Sequence, residues 1–467
     1  MVRQASLPRN EDGIRTAIGV LKQQFGDALQ TGQSVREQHG HTTTWIENQP
    51  PDAVVFARSA QQVSDIVTVC AAHGVPVIAY GTGTSLEGHV NAPAGGICID
   101  VSQMDRVLEV NAGDLDCRVQ PGVTREDLNI HLRDQGLFFP IDPGANASLG
   151  GMAATNASGT NAVLYGTMKD NLLALEAVMA DGRIIRTGTR ARKSSAGYDL
   201  TRLLVGSEGT LGIITEITLR LRGIPECIHA AHCSFPTVDA ACQTVISVIQ
   251  YGLPVARIEL LDETMVKALN GHAGLGLPET PLLLLEFHGT EAGVVEQAEI
   301  FAALSQEQGG FGYHATTTTE ERNRLWKARH DAYWAMLQYR PGAEGVATDV
   351  CVPISRLAEC VTAAQARAQE LRLITPIIGH VGDGNFHATP LVDMTDAEEV
   401  ARASEFVSWL NDHAIAMEGT CTGEHGIGQG KMPYLVRELG DATDIMADIK
   451  QALDPQDILN PGKIFTR

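Results

Sequence analysis

Residues 142–172 read DPGANASLGGMAATNASGTNAVLYGTMKDNL, and the first half of this stretch is almost free of large side chains. Two further segments also place glycine beside Ser, Thr and Glu: residues 81–88 (GTGTSLEG) and residues 197–216 (GYDLTRLLVGSEGTLGIITE). Glycine is needed where the backbone comes very close to a ligand or to other backbone. Three such segments indicate a large bound cofactor rather than three ordinary turns.

The segment 81–88 directly follows the apolar run VPVIAY (75–80). A loop of this kind can direct successive backbone N–H groups at a pyrophosphate. It is not a dinucleotide-binding fingerprint, because the order G-x-G-x-x-G is absent and no helix clearly follows. Taken alone, the segment is better explained as an ordinary glycine turn. The two other glycine-rich segments are what favour a cofactor.

Local signals predict a mixed α+β chain. Ser59 and Gly74 are typical helix ends, and Thr124 with Asp127 resembles a capping pair for a helix that ends at Gly136. The pair Asp181-Gly182 predicts a hairpin turn. Short strands are expected at residues 53–58, 75–80, 96–101 and 115–120, and longer helix–strand alternation from about residue 226 to about residue 410.

The composition excludes several classes of function. The 467 residues carry a net charge of −21, which repels nucleic acid and anionic lipid surfaces, so an anionic substrate requires a local cationic site. The nine cysteines are odd in number and show no CxxC spacing, which favours reduced thiols and a cytosolic setting. Residues 1–15 lack the apolar core of a signal peptide, and no run is long enough for a membrane span. We therefore expect a soluble protein.

Residues 374–387 (ITPIIGHVGDGNFH) contain two histidines, His380 and His387. Their spacing suits neither one helix face nor one straight strand, whereas a strand–turn–strand with its turn at 382–385 can bring both imidazoles together. Farther on, Glu424 and His425 are flanked by glycine. Two histidines and one carboxylate make a three-ligand site with open positions, as catalytic divalent metals require. Separate hydrogen-bonded loop histidines are the alternative.

The glycine-rich segments, together with PDAVVFARSAQQVSDIV (51–67), resemble the vanillyl-alcohol oxidase and p-cresol methylhydroxylase flavoprotein family. The resemblance is closer to its 2-hydroxy-acid dehydrogenase and glycolate oxidase D subunit branch. It implies an α+β fold with a two-subdomain FAD-binding domain of the vanillyl-alcohol oxidase type and an α+β cap domain for the substrate. The expected boundaries are 1–225 for the FAD domain, 226–415 for the cap, and 416–467 for a segment that packs back on the FAD domain.

The resemblance also implies which residues hold FAD. The pyrophosphate loop would use Tyr80, Gly81, Thr82, Gly83, Thr84, Ser85 and Gly88. The residues approaching the flavin would be Pro143, Gly144, Ser148, Gly150, Gly151, Ser158, Gly159 and Thr160. The rest of the cofactor would be held by Gly206, Glu208, Gly209, Gly212, Ile213 and Asn460. Some members of the wider family tether FAD to a histidine inside the pyrophosphate loop. Here residues 81–84 contain none, so we expect non-covalent FAD and interpret His89, beyond that point, as a polar loop residue.

For the substrate, the resemblance implies a divalent metal (Zn or Mn) on His380, His387 and Glu424, with His425 as the base. The segment RLWKARHD (324–331) offers three cations. Arg324 and Lys327 are interpreted as a solvated face, whereas Arg329 matches the arginine that clamps the substrate carboxylate in the family. A guanidinium can pair with a carboxylate through two hydrogen bonds.

The expected reaction is oxidation of a small D-2-hydroxy acid, best D-lactate to pyruvate, by hydride transfer from C2 to flavin N5. Glycolate and D-2-hydroxyglutarate are the alternative substrates. A metal hydrolase and a non-catalytic flavin-binding module are rival functions, but the first leaves the glycine-rich segments unexplained and the second leaves the metal ligands unexplained. The expected electron acceptor is a quinone, a cytochrome or an electron-transferring flavoprotein. The expected location is cytoplasmic, with peripheral attachment to the inner membrane face left open.

Overall fold

The computed structural model describes residues 7–42, 44–316 and 318–465, so the first part of the N-terminal segment 1–15 lies outside the described residues. The chain forms two compact units. The terminal unit comprises the described parts of Val2–Ser158, Gly166–Ile224 and Glu424–Arg467, and the middle unit comprises Gly159–Tyr165 and Pro225–Gly423. The boundaries expected from the sequence placed residues 159–165 in the FAD domain, whereas the structure groups this short segment with the middle unit.

The terminal unit contains two sheets. The first has the strand order Leu29–Gln30, Ala53–Phe56, Ile97–Asp100 and Val77–Tyr80, with the last three parallel. The second is antiparallel, in the order Val107–Asn111, Asp116–Val119, Ile213–Arg220, Leu172–Val178 and Ile184–Arg186. A two-stranded pair joins Leu137–Phe138 to Arg222–Gly223. The helices are Glu11–Phe25, Gln33–Gln38, Ala60–His73, Arg125–Leu132, Leu149–Thr155, Met168–Asn171, Leu200–Leu204, Met432–Leu439 and Ala442–Leu453.

Several predicted helix ends and turns in this unit are confirmed. The Ser59 side chain accepts a hydrogen bond from the Gln62 backbone N–H, and the helix ends at Gly74, which has the left-handed backbone that glycine tolerates. Thr124 caps the helix Arg125–Leu132, which continues as a 3₁₀ turn before Gly136. The hairpin at Asp181-Gly182 joins two antiparallel strands.

The middle unit is built on a seven-stranded sheet. Its strand order is Phe311–Thr316, Cys227–Ser234, Leu282–Gly289, Val255–Leu261, Ile377–Gly379, Asn385–Ala388 and Val350–Cys351. A two-stranded pair joins Glu344–Gly345 to Leu391–Val392. The helices are Ala162–Tyr165, Val238–Tyr251, Glu263–Ala273, Glu291–Glu307, Thr319–His330, Ala332–Tyr339, Leu357–Glu370 and Ala397–Ala416. Buried leucines of the sheet and helix residues such as Trp326 and Met336 form an apolar core in this unit.

All nine cysteines are free, as the sequence predicted. Most of them are buried, and burial raises the pKa of the Cys117 and Cys351 thiols to about 12. Within residues 7–42, 44–316 and 318–465, none of the helices combines the length and apolar character that a membrane crossing requires.

Candidate active site

The glycine-rich segments of the terminal unit lie close to one another. A Cβ added at Gly81 would lie 2.1 Å from the Ser148 hydroxyl oxygen, and the Ser148 N–H donates to the Thr82 hydroxyl at 3.3 Å. Gly209 has a φ of +75° and lies beside Ala79, near the start of the pyrophosphate loop. The folded chain therefore gathers residues 80–85, 148–151 and 206–213, which the sequence assigned to a single cofactor.

Asn460 connects these segments to the C-terminal part of the chain. Its side-chain amide donates to the backbone oxygen of Glu208 at 2.8 Å and to that of His89 at 3.1 Å. Nearby, the Lys463 ammonium donates to the Asn91 backbone oxygen, and burial lowers the pKa of Lys463 to about 7 although the Glu208 carboxylate opposes this shift. Asn460 thus holds the backbone at Glu208 and His89 in place, in addition to any contact that it makes with the cofactor.

Two observations fit these loops to a bound dinucleotide. The Ser85 hydroxyl oxygen is buried yet has no hydrogen-bond partner among the described residues, as expected for a donor that faces a ligand oxygen. At Gly81 a side chain would clash with Ser148, so the backbone there is left bare. Five residues were expected to approach the flavin from beyond these loops. Of these, Pro143, Gly144 and Ser158 lie in the terminal unit and are at least partly exposed. Gly159 and Thr160 are buried and lie in the middle unit.

Glu208 has a structural role that the sequence did not reveal. Its carboxylate accepts hydrogen bonds from the backbone N–H groups of Ile427 and Gly428, at 2.7 and 2.8 Å, and lies 3.2 Å from His89 Nε2. Burial raises the pKa of Glu208, but His89 and these hydrogen bonds outweigh burial and hold it below its usual value. The carboxylate therefore ties together two loops of the terminal unit. His89 lies in a turn, as expected for a loop residue, but its side chain is buried against this carboxylate.

The glycines around His425 are explained by the same contacts. A Cβ at Gly426 would lie 2.7 Å from a Glu208 carboxylate oxygen, and one at Gly428 would lie 2.1 Å from the Glu87 backbone oxygen. The His425 side chain is mostly buried, with Nδ1 3.9 Å from Glu87 Oε1. Glu87 was not singled out by the sequence analysis, although it is the one carboxylate within the segment GTGTSLEG.

In the middle unit, the predicted strand–turn–strand around the two histidines is confirmed. The strands Ile377–Gly379 and Asn385–Ala388 pair antiparallel, with a 3₁₀ turn at Val381–Asp383 and Gly384 at φ +80°. The ring centroids of His380 and His387 are 5.5 Å apart. The turn lies one residue earlier than predicted.

The two histidines have matching hydrogen bonds. His380 Nδ1 lies 2.7 Å from a Glu259 carboxylate oxygen, and His387 Nδ1 lies 2.9 Å from the Thr348 backbone oxygen. Both partners only accept hydrogen bonds, so each Nδ1 carries a proton and a metal would be bound through Nε2. This is how protein environments orient metal-binding histidines. The described residues of the middle unit therefore fit a metal.

Glu424 is the first residue of the terminal unit's last segment and follows Gly423 of the middle unit. The Gly423 N–H donates to the Asp349 backbone oxygen at 3.1 Å. Asp349 is fully buried, and its carboxylate accepts from Asn385 and lies 3.7 Å from His387 Nδ1. Gly423, the residue directly before Glu424, is therefore bonded to Asp349, which is a neighbour of His387.

Arg329 lies on the helix Thr319–His330 and is mostly buried, unlike the exposed Lys327. Its Nε and Nη2 atoms donate to Glu259 Oε2 at 2.8 and 2.6 Å. The fully buried Glu259 therefore bridges Arg329 and His380. Burial raises the pKa of Glu259, but these two neighbours outweigh burial and lower it.

Glu259 was missed by the sequence analysis. The available signal was local: in the strand VARIELL (255–261), Arg257 and Glu259 alternate with apolar residues that are all buried. Charged side chains on a buried strand require partners.

Comparison with known proteins identifies the family. The profile described as "FAD linked oxidases, C-terminal domain" matches residues 224–464, and the profile described as "FAD binding domain" matches residues 51–188. The chain belongs to the FAD-linked oxidase family. FAD is therefore its cofactor, as the family resemblance implied, and it accounts for the large cofactor that the glycine-rich segments indicated.

Two relatives and one solved structure illustrate the similarity within this FAD-linked oxidase family. The chain is 49% identical over 457 residues to a probable mitochondrial D-lactate dehydrogenase of Danio rerio, covering 97% of this chain and 92% of the relative. It is 46% identical to the mitochondrial D-lactate dehydrogenase [cytochrome] of Arabidopsis thaliana, covering 96% and 80%. A structure of p-cresol methylhydroxylase with substrate bound has a TM-score of 0.80 at 17% identity, covering 99% of each chain. The predicted fold is confirmed.

Proposed function

We propose that this chain is an FAD-dependent D-lactate dehydrogenase that oxidises D-lactate to pyruvate. The names of its relatives point to this substrate, and the observation that carries the proposal is the bridge formed by Glu259. One carboxylate holds a histidine, through its Nδ1, and a mostly buried arginine, which suits a 2-hydroxy acid because its hydroxyl and carboxylate lie on adjacent carbons.

We assign roles to the residues as follows. Arg329 binds the substrate carboxylate, and Glu259 holds both Arg329 and His380 in place. Nε2 of His425 takes the hydroxyl proton, and the nearby Glu87 carboxylate favours the resulting imidazolium. FAD, when bound, accepts the hydride that leaves C2, so loss of one proton and one hydride gives pyruvate.

A divalent metal, Zn or Mn, would be held by His380 and His387 with Glu424 as the third ligand. It would supply Lewis-acid chemistry by lowering the pKa of the substrate hydroxyl, which is otherwise far too weak an acid for an imidazole. The proposal for Glu424 rests on the family resemblance and on its place in the chain directly after Gly423.

The purified protein is expected to be yellow, and acid precipitation is expected to release FAD into the supernatant. The reason is that residues 81–84 contain no histidine to form a covalent link. Absorbance of supernatant and pellet measures the distribution. Flavin that stays in the pellet would contradict non-covalent binding.

Under anaerobic conditions D-lactate should bleach the bound flavin and L-lactate should not. Absence of bleaching by any hydroxy acid would refute the proposed function.

Glu259→Gln is expected to weaken metal binding by roughly 10- to 100-fold, as loss of partners to metal-binding histidines usually does. It should also raise KM for D-lactate, because the uncharged amide pairs more weakly with Arg329. Metal content after dialysis measures the first effect without any assay of activity. The matched control is Glu286→Gln, since Glu286 also contacts a histidine and an arginine in the same sheet. Equal metal loss in both variants would argue against a specific role.

Among hydroxy acids, we expect D-lactate or D-2-hydroxybutyrate to have the highest kcat/KM, then glycolate, and D-2-hydroxyglutarate the lowest. The family resemblance implies a lysine at the place of Ala347 in members that act on D-2-hydroxyglutarate, and burying a second carboxylate without a cation costs several kcal/mol. Arg340 is not available instead, because its guanidinium pairs with Glu399. Glycolate lacks the methyl contact, worth roughly 1 kcal/mol or about five- to tenfold. Equal kcat/KM for D-lactate and D-2-hydroxyglutarate would contradict this ranking.

The compartment and the electron acceptor stay predictions. Free cysteines indicate a reducing compartment, for which the sequence analysis chose the cytoplasm. Both relatives described above are named as mitochondrial, so the same thiols suit the interior of that organelle equally well. We propose a quinone, a cytochrome or an electron-transferring flavoprotein as acceptor, and steady-state rates with each class would distinguish them.

A further inference from the structure

A cluster of cations stands out on this acidic chain. Residues 183–224 contain eight Lys or Arg and three Asp or Glu, a local charge of +5, although the whole chain has a charge of −21. Arg183, Arg186 and Arg190, in the first part of this stretch, form ion pairs with acidic residues. Four of the five cations that follow differ from these three arginines.

Arg192, Lys193, Arg202 and Arg220 have no carboxylate within ion-pair distance among the described residues. Arg220 ends the strand Ile213–Arg220, and its Nη2 donates to the Arg192 backbone oxygen at 3.3 Å, which holds the loop 189–199 against the strand end. Burial, followed by the charges of nearby arginines including Arg192 and Arg202, lowers the pKa of Arg220. Like charges are thus held together in a chain where carboxylates are abundant.

The same loop and the first residue of the helix that follows it expose apolar side chains. Tyr198 is 95% exposed and Leu200 is 39% exposed, and every residue from 191 to 200 is exposed. A single projecting aromatic beside cations is typical of surfaces that enter the headgroup region of a bilayer. A protein interface instead places its anchor residues at the centre of a packed patch, and the exposed run 191–200 does not form one.

We propose that Arg192, Lys193, Arg202 and Arg220, with Tyr198 and Leu200, form a docking surface for an anionic lipid bilayer. The cations bind lipid phosphates and carboxylates, and Tyr198 enters the headgroup region. The net charge of −21 does not prevent this, because charges farther than a Debye length of about 8 Å are largely screened at physiological salt. The proposal departs from the sequence-based expectation that the net charge repels anionic lipid surfaces, and it does not depend on which hydroxy acid is oxidised.

The test is co-sedimentation of the FAD-loaded protein with vesicles of phosphatidylcholine alone or with phosphatidylserine added. We expect binding only to the anionic vesicles, with loss at high salt. The triple variant Arg192→Ser, Lys193→Ser, Arg202→Ser should bind roughly 100-fold more weakly, since each basic residue near an anionic surface contributes roughly fivefold. Tyr198→Ser should weaken binding several-fold. The rate with D-lactate and a soluble dye should stay unchanged, which verifies folding.

The matched control is Lys267→Ser, Lys327→Ser, Arg372→Ser, which removes three exposed cations from the middle unit and changes the net charge equally. This control should bind vesicles like the parent. Equal losses in the two triple variants, or equal binding to neutral vesicles, would overturn the proposal. So would a patch variant that keeps vesicle binding but loses electron transfer to an acidic protein acceptor, because the cations would then serve a protein partner.

Discussion

His380→Ala, or removal of metal with a chelator, is expected to abolish oxidation of D-lactate while the spectrum of the bound flavin stays nearly unchanged. His380 lies in the middle unit, on the turn after the strand Ile377–Gly379, whereas the FAD loops described above lie mainly in the terminal unit. The loss should reach about 10³-fold or more, because Lewis-acid assistance is worth several kcal/mol. Turnover and flavin absorbance, measured on the same sample, separate the two effects.

Two controls support this measurement. His272→Ala removes an exposed histidine of the same unit, whose side chain bonds to Gln338, and should leave turnover unchanged. Chelated parent protein should regain activity on addition of Zn or Mn, whereas His380→Ala should not. Full turnover by metal-free protein would remove the Lewis-acid role and leave His380 as a partner of Glu259 alone.

The parts of the site that the sequence could predict depend on neighbouring residues. Gly382 and Gly384 within a short apolar region signalled the turn between His380 and His387, and the structure has that turn. Ser59 and Thr124 predicted helix starts because an N-cap needs only the residues that directly follow it. The glycine-rich segments indicated a cofactor for the same reason, since the demand for a bare backbone is visible in the segment itself.

The parts that the sequence could not predict depend on strand register. Glu259 contacts His380 because Leu260 pairs with Gly379 in an antiparallel ladder, so that the next pair in register is Glu259 with His380. These residues are 121 positions apart in the chain. A shift of one residue in that ladder would turn Glu259 to the opposite face of the sheet. No local pattern encodes this pairing.

The contacts between loops could not be predicted either, because they also join residues that are far apart in the chain. Glu208 lies within a segment that was assigned to the cofactor on its glycines, yet its carboxylate bonds to the backbone of Ile427 and Gly428, more than two hundred positions away. The sequence therefore identified the correct segment but not the partner of its carboxylate. The same contact explains why glycine is required beside His425. From the sequence alone, these glycines indicated only a functional loop.

His425→Ala is expected to lower kcat for D-lactate by at least about 10²-fold, the usual contribution of a positioned general base. Substrate binding should survive, because the carboxylate is assigned to Arg329 and not to the imidazole. Single-turnover reduction of the flavin measures the chemical step directly. The matched control is His131→Ala, an exposed histidine of the same unit, which should react like the parent.

The Glu87 carboxylate provides a second, graded test of the same role. It lies 3.9 Å from His425 Nδ1, so Glu87→Gln should leave the imidazole in place but remove the negative charge that favours its protonated form. We expect a smaller loss of kcat than in His425→Ala, roughly ten-fold, with KM little changed. In the double variant the two losses should not multiply, because the Glu87 carboxylate, which also lies 3.4 Å from Lys431 Nζ, is proposed to act on the reaction through the imidazole. Losses that multiply fully, or a His425→Ala variant within a few-fold of the parent, would mean that another group takes the hydroxyl proton.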